Sequence, residues 1–412
     1  MLTSILIQNY RSIQDCTVDL SFDEKKAPNG YRDEPLLPFI TDNGFRSTSM
    51  LALYGANGSG KSAIVNALIE ASRVVANGVS LQNFHPNCLC HCGNATTLTY
   101  RLVRDGNTYE YALCYTGDRI LHEQLLEDNE PLFTAEQNSI TPLLHSKEEL
   151  YSDEKLKVLY KTECCDSNQK QIYSFLSRLG KNYQNLDGRV TKVYKKLFWF
   201  FYATPATTLG VGEACHSFLA AEMIAYGVND EEKSKRKLLE IVKRLVVSVQ
   251  DFQYKKGDSN SQKIPFLTDW KTAHTDMDGK QVWLDLERDE SNGTKTLFRL
   301  VPLMLGTLDF GGLLVIDEID RSLHPLLLEE LVKLFKDKRN NVHNAQLICT
   351  LHDTDLLDAN VLRVSDVGII SKTLKEGTKI KRLSQFKGVR NVTNFRKQYL
   401  EGCFGGIPFP SL

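Results

Sequence analysis

Gly55-Ala56-Asn57-Gly58-Ser59-Gly60-Lys61-Ser62 places three glycines, a lysine and a hydroxyl at the spacing G-x-x-x-x-G-K-[ST]. Glycines let a loop take left-handed turns that aim successive backbone N–H groups into one concavity, and a helix N-terminus behind the loop adds partial positive charge. The result is a cradle for phosphate. In it Lys61 can neutralise β- and γ-phosphates, and the Ser62 hydroxyl can ligate Mg2+. A second cluster adds the acid groups: the apolar run 313–316 ends in Asp317-Glu318, one carboxylate for the metal and one to polarise an attacking water as a general base. ATP and Mg2+ are therefore the expected ligands. Gly55, Asn57, Gly58, Ser59, Gly60, Lys61 and Ser62 face the phosphates, Ser62 and Asp317 the metal, and Glu318 the water. Downstream, the strand pattern 346–350 runs into Leu351-His352-Asp353. His352 could sense a γ-phosphate there, although a histidine after a strand is by itself more often a structural hydrogen-bonder.

These residues need elements that carry them to one place. The short apolar run 50–54 reads as a buried strand feeding the glycine turn, and 62–75 has helical spacing through Ile64, Val65, Ala67, Leu68 and Ile69. Two strands are expected at the start, around Leu2, Ile5, Ile7 and Val18, Leu20, Phe22, with 9–15 between them. Another hairpin is expected from 97–103 and 109–115, joined by Asp105-Gly106-Asn107. From 131 to 249 the pattern turns helical and rich in Lys, Leu, Glu and Tyr, and its lysine run 233–237 reads as a solvated helix face. Strand patterns return at 281–286, 313–316, 346–350 and 367–371, interleaved with helical stretches. Strands alternating with helices indicate an α/β core with a largely parallel sheet.

Composition narrows the class. In 412 residues, 42% are hydrophobic and 25% charged, which excludes wholesale disorder and a coiled-coil rod and suits two or three domain-sized units. Fifty Lys plus Arg against 51 Asp plus Glu leave a net charge of -1, so affinity for a polyanion would have to be local. The segment 363–397 is such a locality, with ten Lys or Arg against Asp366 and Glu376. It suits nucleic acid, an acidic protein, or a lysine-guarded β-edge. The N-terminus lacks the pattern of a signal peptide, and the most apolar stretch, 197–209, is too short to span a bilayer. A cytoplasmic protein with reduced cysteines and no membrane contact is expected. His85, Cys88, Cys90, His91 and Cys92 supply soft zinc ligands but lack the second distant pair of a structural site.

Glu290-Ser291-Asn292-Gly293-Thr294-Lys295 follows a strand-like run and opens a helix through Leu297, Phe298, Leu300, Val301 and Met304. It resembles the signature motif of the ABC-type ATPase heads shared by SMC, RecF and related proteins. By that resemblance Ser291 and Gly293 cap the γ-phosphate of ATP on the opposite subunit, Ser322-Leu323-His324-Pro325 is the D-loop and His352 the switch histidine. Asn9-Tyr10-Arg11-Ser12 resembles the N-terminal segment of these heads, which implies that Arg11 lies near the nucleotide. Gln82 and Gln124 are candidates for the Q-loop, and neither is assigned. The C-terminal Tyr399-Leu400-Glu401-Gly402-Cys403-Phe404-Gly405-Gly406-Ile407-Pro408 narrows the likeness, together with ESNGTK and VIDEIDRSLHP. All three are similar to the AbiLi-type AAA ATPases of abortive-infection loci, a family that includes the ATPase of PARIS antiphage defence; Cys403 stands where such proteins often carry a basic residue.

The likeness covers 1–125 and 263–412. It implies an ABC-type P-loop ATPase head with a mixed β-sheet core and an inserted helical subdomain: an N-terminal lobe at 1–130, the insertion at 131–262 and a C-terminal lobe at 263–412. It implies a homodimer or higher homo-oligomer with composite ATP sites, a phage protein as trigger, and a separately encoded effector such as a nuclease. Two other readings stay open. One is an SMC- or RecF-like ATPase of DNA repair, although the insertion lacks the sustained heptads of SMC arms. The other is a scaffold that uses ATP only to assemble.

Overall fold

Apolar residues on each central strand alternate between two layers, and that alternation builds the molecule. The structure, a computed structural model, describes residues 1–21, 39–40, 46–79, 84–87, 95–136, 139–142, 153–164, 172–182, 189–202, 206–208, 231–246, 248–256, 267–358, 361–389 and 395–407. Gln82, Cys88, Cys90, His91, Cys92 and Arg390 lie outside these residues. The chain runs β1 (Leu2–Tyr10), β2 (Ile13–Asp19), β3 (Phe39–Ile40), β4 (Arg46–Ser47), β5 (Met50–Gly55), α1 (Lys61–Asn77), β6 (Thr96–Arg104) and β7 (Asn107–Tyr115). It continues through β8 (Ile120–Glu127), β9 (Glu130–Glu136), β10 (Ser139–Pro142), α2 (Asp153–Cys164), α3 (Phe175–Asn182), α4 (Arg189–Tyr202), β11 (Ala206–Thr208) and α5 (Glu231–Leu245). The last part is β12 (Asp251–Lys256), β13 (Leu267–Thr275), β14 (Gln281–Asp285), α6 (Asn292–Phe310), β15 (Leu313–Asp317), α7 (Pro325–Lys336), β16 (Gln346–Thr350), β17 (Val367–Thr373), β18 (Gly377–Arg382) and α8 (Phe395–Leu400).

One mixed sheet of 13 strands, in the order β10-β9-β8-β7-β6-β1-β2-β18-β17-β5-β16-β15-β11, organises the α/β fold. From β17 to β11 every pairing is parallel, and from β10 to β17 every pairing is antiparallel. On β5, Leu51 and Leu53 enter one core with α1, α3 and α4, whereas Met50, Ala52 and Tyr54 enter the other with α6, α7 and α8. Burial on both faces is what a near-continuous apolar strand requires. A separate three-stranded sheet, β12-β13-β14, lies over α6, where Phe252 meets the Phe298 ring edge-on at 5.4 Å.

The first hairpin has longer strands than its pattern suggested, since only Arg11 and Ser12 separate β1 from β2. The helical reading from 131 onward also needs correction. Among the described residues after 131 the first helix begins at Asp153, because β9 and β10 extend the antiparallel wing and bury Phe133, Ala135 and Ile140. Three apolar residues in so short a span do not separate a period of two from the helical pattern that follows. Among the described residues no helix is long and apolar enough to cross a membrane.

The basic segment 363–397 is partly internal. Arg363 and Arg382 are buried; Arg382 donates to the Ser365 and Ser21 carbonyls, and Lys379 Nζ donates to the Asp15 carbonyl at 2.6 Å. Arg396 pairs with Asp355 at 2.9 Å. Folding thus spends much of the charge that looked available for a polyanion.

Glu123 on β8 ties the helical layer to the wing. Its carboxylate accepts from Phe175 N at 2.7 Å, Leu176 N at 3.0 Å and the Tyr111 hydroxyl at 2.9 Å, all out of water. Burial pushes its pKa up from 4.5 to about 7, against the pull of those donors. An acid with a raised folded pKa keeps its proton in the folded state through a window where the unfolded chain has lost it. Unfolding free energy should therefore fall as pH rises from about 4.5 to about 7, then level off. Denaturant midpoints at pH 5 and pH 7.5 should show this fall in the wild type and a smaller one in Glu123→Gln; equal falls in both would contradict the assignment.

Candidate functional site

Three parallel neighbours end at the same edge of the sheet. β5 leads into the loop 55–62, β16 ends in Thr350 before His352, and β15 ends in Asp317 before Glu318. Parallel strands deliver their carboxyl ends side by side, the usual place for a ligand crevice in such sheets. Gly58 and Gly60 have φ of 76° and 103°, values that suit glycine, and Gly60 caps α1. A Cβ at Gly60 would run into the Thr378 side chain, whereas one at Gly58 would meet nothing within 4 Å. The loop is thus walled on one side by β18 and open on the other.

Lys61 Nζ donates to the carbonyls of Gly55 at 2.7 Å and Ala56 at 3.3 Å. Burial lowers its pKa, opposed by the negative field of Asp317, Glu318 and Asp320. Ser62 is exposed at the N-terminus of α1, as is Asn57 in the loop, while Ser59 is buried and its Oγ has no hydrogen-bond partner. An orphaned hydroxyl, a helix N-terminus and an open concavity fit a bound phosphate chain. The exposed Ser62 hydroxyl and the Asp317 carboxylate are oxygen groups of the kind that Mg2+ takes.

Thr350 joins the two acids. Its Oγ1 donates to Asp317 Oδ1 at 2.5 Å and accepts from Glu318 N at 2.7 Å, fixing Asp317, which is buried, and the start of the turn. Glu318 has a left-handed φ of 55°, an uncommon conformation for a residue with a side chain, and its carboxylate is partly exposed. His352 Nε2 lies 3.6 Å from Glu318 Oε1, and Arg321 Nη1 lies 3.7 Å from Oε2. Asp320 holds the histidine's backbone: Oδ2 accepts from both His352 N and Asp353 N at 2.6 Å.

Ser12 reaches the loop through Thr378. The two hydroxyls are 2.8 Å apart, and Thr378 Oγ1 donates to the Ser59 carbonyl at 3.1 Å. Arg11 therefore sits in a turn tied to the loop, with φ of 49° and its guanidinium 5.6 Å from the Tyr10 ring centre. Gln124 is elsewhere, donating to Thr134 Oγ1 across the wing at 3.0 Å.

Ser291 caps α6, its Oγ accepting from Thr294 N at 3.1 Å. Gly293 packs on the turn after β15: a Cβ there would sit 3.2 Å from the Ser322 carbonyl. The preceding Glu290 is anchored by Thr272 Oγ1 at 2.5 Å and His274 Nε2 at 2.6 Å. Desolvation works to raise the Glu290 pKa, but these bonds outweigh it and leave the carboxyl below its ordinary value. Ser291 and Gly293 make no hydrogen bond or ion pair with 55–62 among the described residues. The structure gathers Gly55, Asn57, Gly58, Ser59, Gly60, Lys61, Ser62, Asp317, Glu318 and His352 at one edge, and Gly293 packs on the turn that carries Glu318 without Ser291 or Gly293 bonding to the loop.

The family described as "AAA domain, putative AbiEii toxin, Type IV TA system" matches residues 94–358, well over half of the chain. The chain belongs to this family. The matched span of this AAA domain holds the Asp317-Glu318 turn and His352, and begins after the phosphate loop. Its structure is similar to the SMC head domain from Thermotoga maritima at 12% identity and a TM-score of 0.42, over 92% of this chain and 98% of that one. No curated protein matches the sequence.

Thr350, Asp320 and Thr378 escaped the sequence reading. Asp320 had a signal, since it shares the stretch Asp317-Glu318-Ile319-Asp320, and Thr350 is the polar end of an apolar strand; Thr378 had none. Chemical denaturation checks the loop geometry. Gly58→Ala should cost about 1 kcal/mol for its left-handed backbone. Gly60→Ala should cost clearly more, because its methyl also meets Thr378.

Proposed function

We propose that this protein binds and hydrolyses ATP at sites completed by a second copy of itself, and that this cycle controls a separately encoded toxic effector in defence against phage. The observation that carries the ATP reading is the convergence of 55–62, Asp317, Glu318 and His352 on one sheet edge. In it the loop amides and Lys61 hold the phosphates, and Arg11 lies beside them. Ser62 and Asp317 would hold Mg2+, which would supply positive charge to offset that of the phosphates. Glu318 orients and deprotonates the attacking water, with Thr350 and the Asp320-anchored turn fixing its place. His352, paired with Glu318, reads the γ-phosphate.

The resemblance of 290–295 to a signature motif, with Ser291 and Gly293 making no bond to the chain's own loop among the described residues, supports a dimer in which each such helix caps the partner's nucleotide. Such sites make a homodimer or a larger homo-oligomer the working unit. The defence reading is supported by the family's description and by the resemblance of both ends of the chain to ATPases of abortive-infection loci. By the same resemblance the effector is assigned to a separate protein, such as a nuclease encoded nearby. A phage protein serves as trigger, and the work is done in the cytoplasm.

Lys61→Ala should abolish nucleotide binding, while Glu318→Gln should bind ATP and lose turnover on the order of 10²-fold or more. Unchanged hydrolysis by Glu318→Gln would remove the general base. Mixing Lys61→Ala with Ser291→Arg should restore activity through one intact site per mixed dimer, whereas a monomer that hydrolyses ATP would rule out the composite arrangement. Phage plating on cells carrying this gene, its neighbour or both should show protection only with both genes and an intact Lys61. Full protection by the neighbour alone would refute the defence reading.

A further inference from the structure

The glycine-rich turn after α8 packs against the root of the phosphate loop. Gly402, Gly405 and Gly406 all take left-handed φ, of 79°, 67° and 72°. Backbone bonds run from Gly402 N to the Tyr399 carbonyl at 2.9 Å and from Gly405 N to the Gly402 carbonyl at 3.0 Å, and the Tyr399 hydroxyl donates to the Gly406 carbonyl at 3.1 Å. The turn is anchored by rings: Tyr399 meets Tyr54 edge-on at 5.8 Å, and Phe404 meets Phe386 at 5.3 Å. Tyr54 immediately precedes Gly55.

Gly406 and Gly55 meet over one carbonyl. A Cβ on Gly55 would lie 2.6 Å from the Ile370 oxygen, and a Cβ on Gly406 would lie 3.2 Å from that same oxygen, 2.7 Å from Ile369 Cγ2 and 3.7 Å from Gly55 Cα. Three backbones, the end of β5, the middle of β17 at Ile370 and the turn 402–407, therefore close at a point where an added Cβ does not fit. Gly55 also supplies the carbonyl that holds Lys61 Nζ at 2.7 Å.

We propose that the turn 402–407 positions the phosphate loop, with Gly406 fixing Gly55 and, through its carbonyl, Lys61. Its bearing on nucleotide affinity rests on the ATP reading given above. Gly406 is a positioning residue: it acts through Gly55 and not on substrate.

The turn contains its own control. Gly405 has nearly the same φ as Gly406, but a Cβ there would meet nothing within 4 Å. Gly405→Ala therefore carries the backbone strain without the contact. Two readouts are needed: titration with a fluorescent ATP analogue, and amide exchange of 55–61 in nucleotide-free protein. Gly406→Ala should weaken the analogue's affinity about tenfold or more and speed exchange across 55–61, with Gly405→Ala close to wild type in both. Equal behaviour of the two variants would overturn the proposal. Faster exchange in Gly406→Ala alone, in a protein whose wild type binds no analogue, would refute the ATP reading and leave the positioning role standing. If Gly406→Ala does not fold, Tyr399→Phe removes only the hydroxyl that holds Gly406. It should shift both readouts in the same direction by a smaller factor, and wild-type values for it would count against the proposal.

Discussion

Parallel pairing of β5 between β16 and β17 is the constraint on which the rest of the structure depends. The register sets Leu53 beside Thr350 and Gly55 beside Ile370, so the loop, the acid-binding threonine and the C-terminal contact are placed by one set of backbone bonds. That register is held by burial on both faces. A slip of one residue would send Leu51 and Leu53 into the core built for Met50, Ala52 and Tyr54, at the cost of both layers. Core packing and site assembly are thus one event.

Charge at the candidate site is confined by hydrogen-bond and charge partners. Asp317 is buried beside a threonine hydroxyl, Lys61 is desolvated but surrounded by three acids, and Asp320 accepts two amides that would otherwise let the His352 turn move. The left-handed Glu318 and Ser322 lie on the same turn. Strained backbone persists only where surrounding bonds over-determine it, and the Thr350 and Asp320 contacts supply that excess. The buried pair Lys336–Asp366, 2.9 Å apart, with Thr48 Oγ1 on the same carboxylate at 2.6 Å, gives the entry to β17 the same firmness.

Local signals were legible where spacing reflects backbone geometry. The glycine loop, the strand 313–317, the signature helix with its Ser291 cap and the hairpin around Gly106 all occur where their residue patterns place them. Short strands inside a long helical stretch did not announce themselves, because β9, β10 and β11 are fixed by pairing with neighbours and carry little pattern of their own. The count of basic residues in 363–397 did not show which of them are internal for a related reason: charge in a sequence says nothing about whether a carbonyl will meet it, and Arg382 finds two.

By itself the sequence determined the glycine loop after β5, the paired acids after β15, the strand–helix alternation and the histidine after β16, since each is written in residues a few positions apart. Only the tertiary structure decided that Thr350 bridges Asp317 and Glu318, that Asp320 holds the His352 turn, that Thr378 walls Gly60, and that Gly406 closes on Gly55. The reason is physical. Sequence spacing encodes the turn and face on which a residue sits, whereas these contacts join positions far apart in the chain and come into being when two layers of apolar side chains choose the register of the sheet between them.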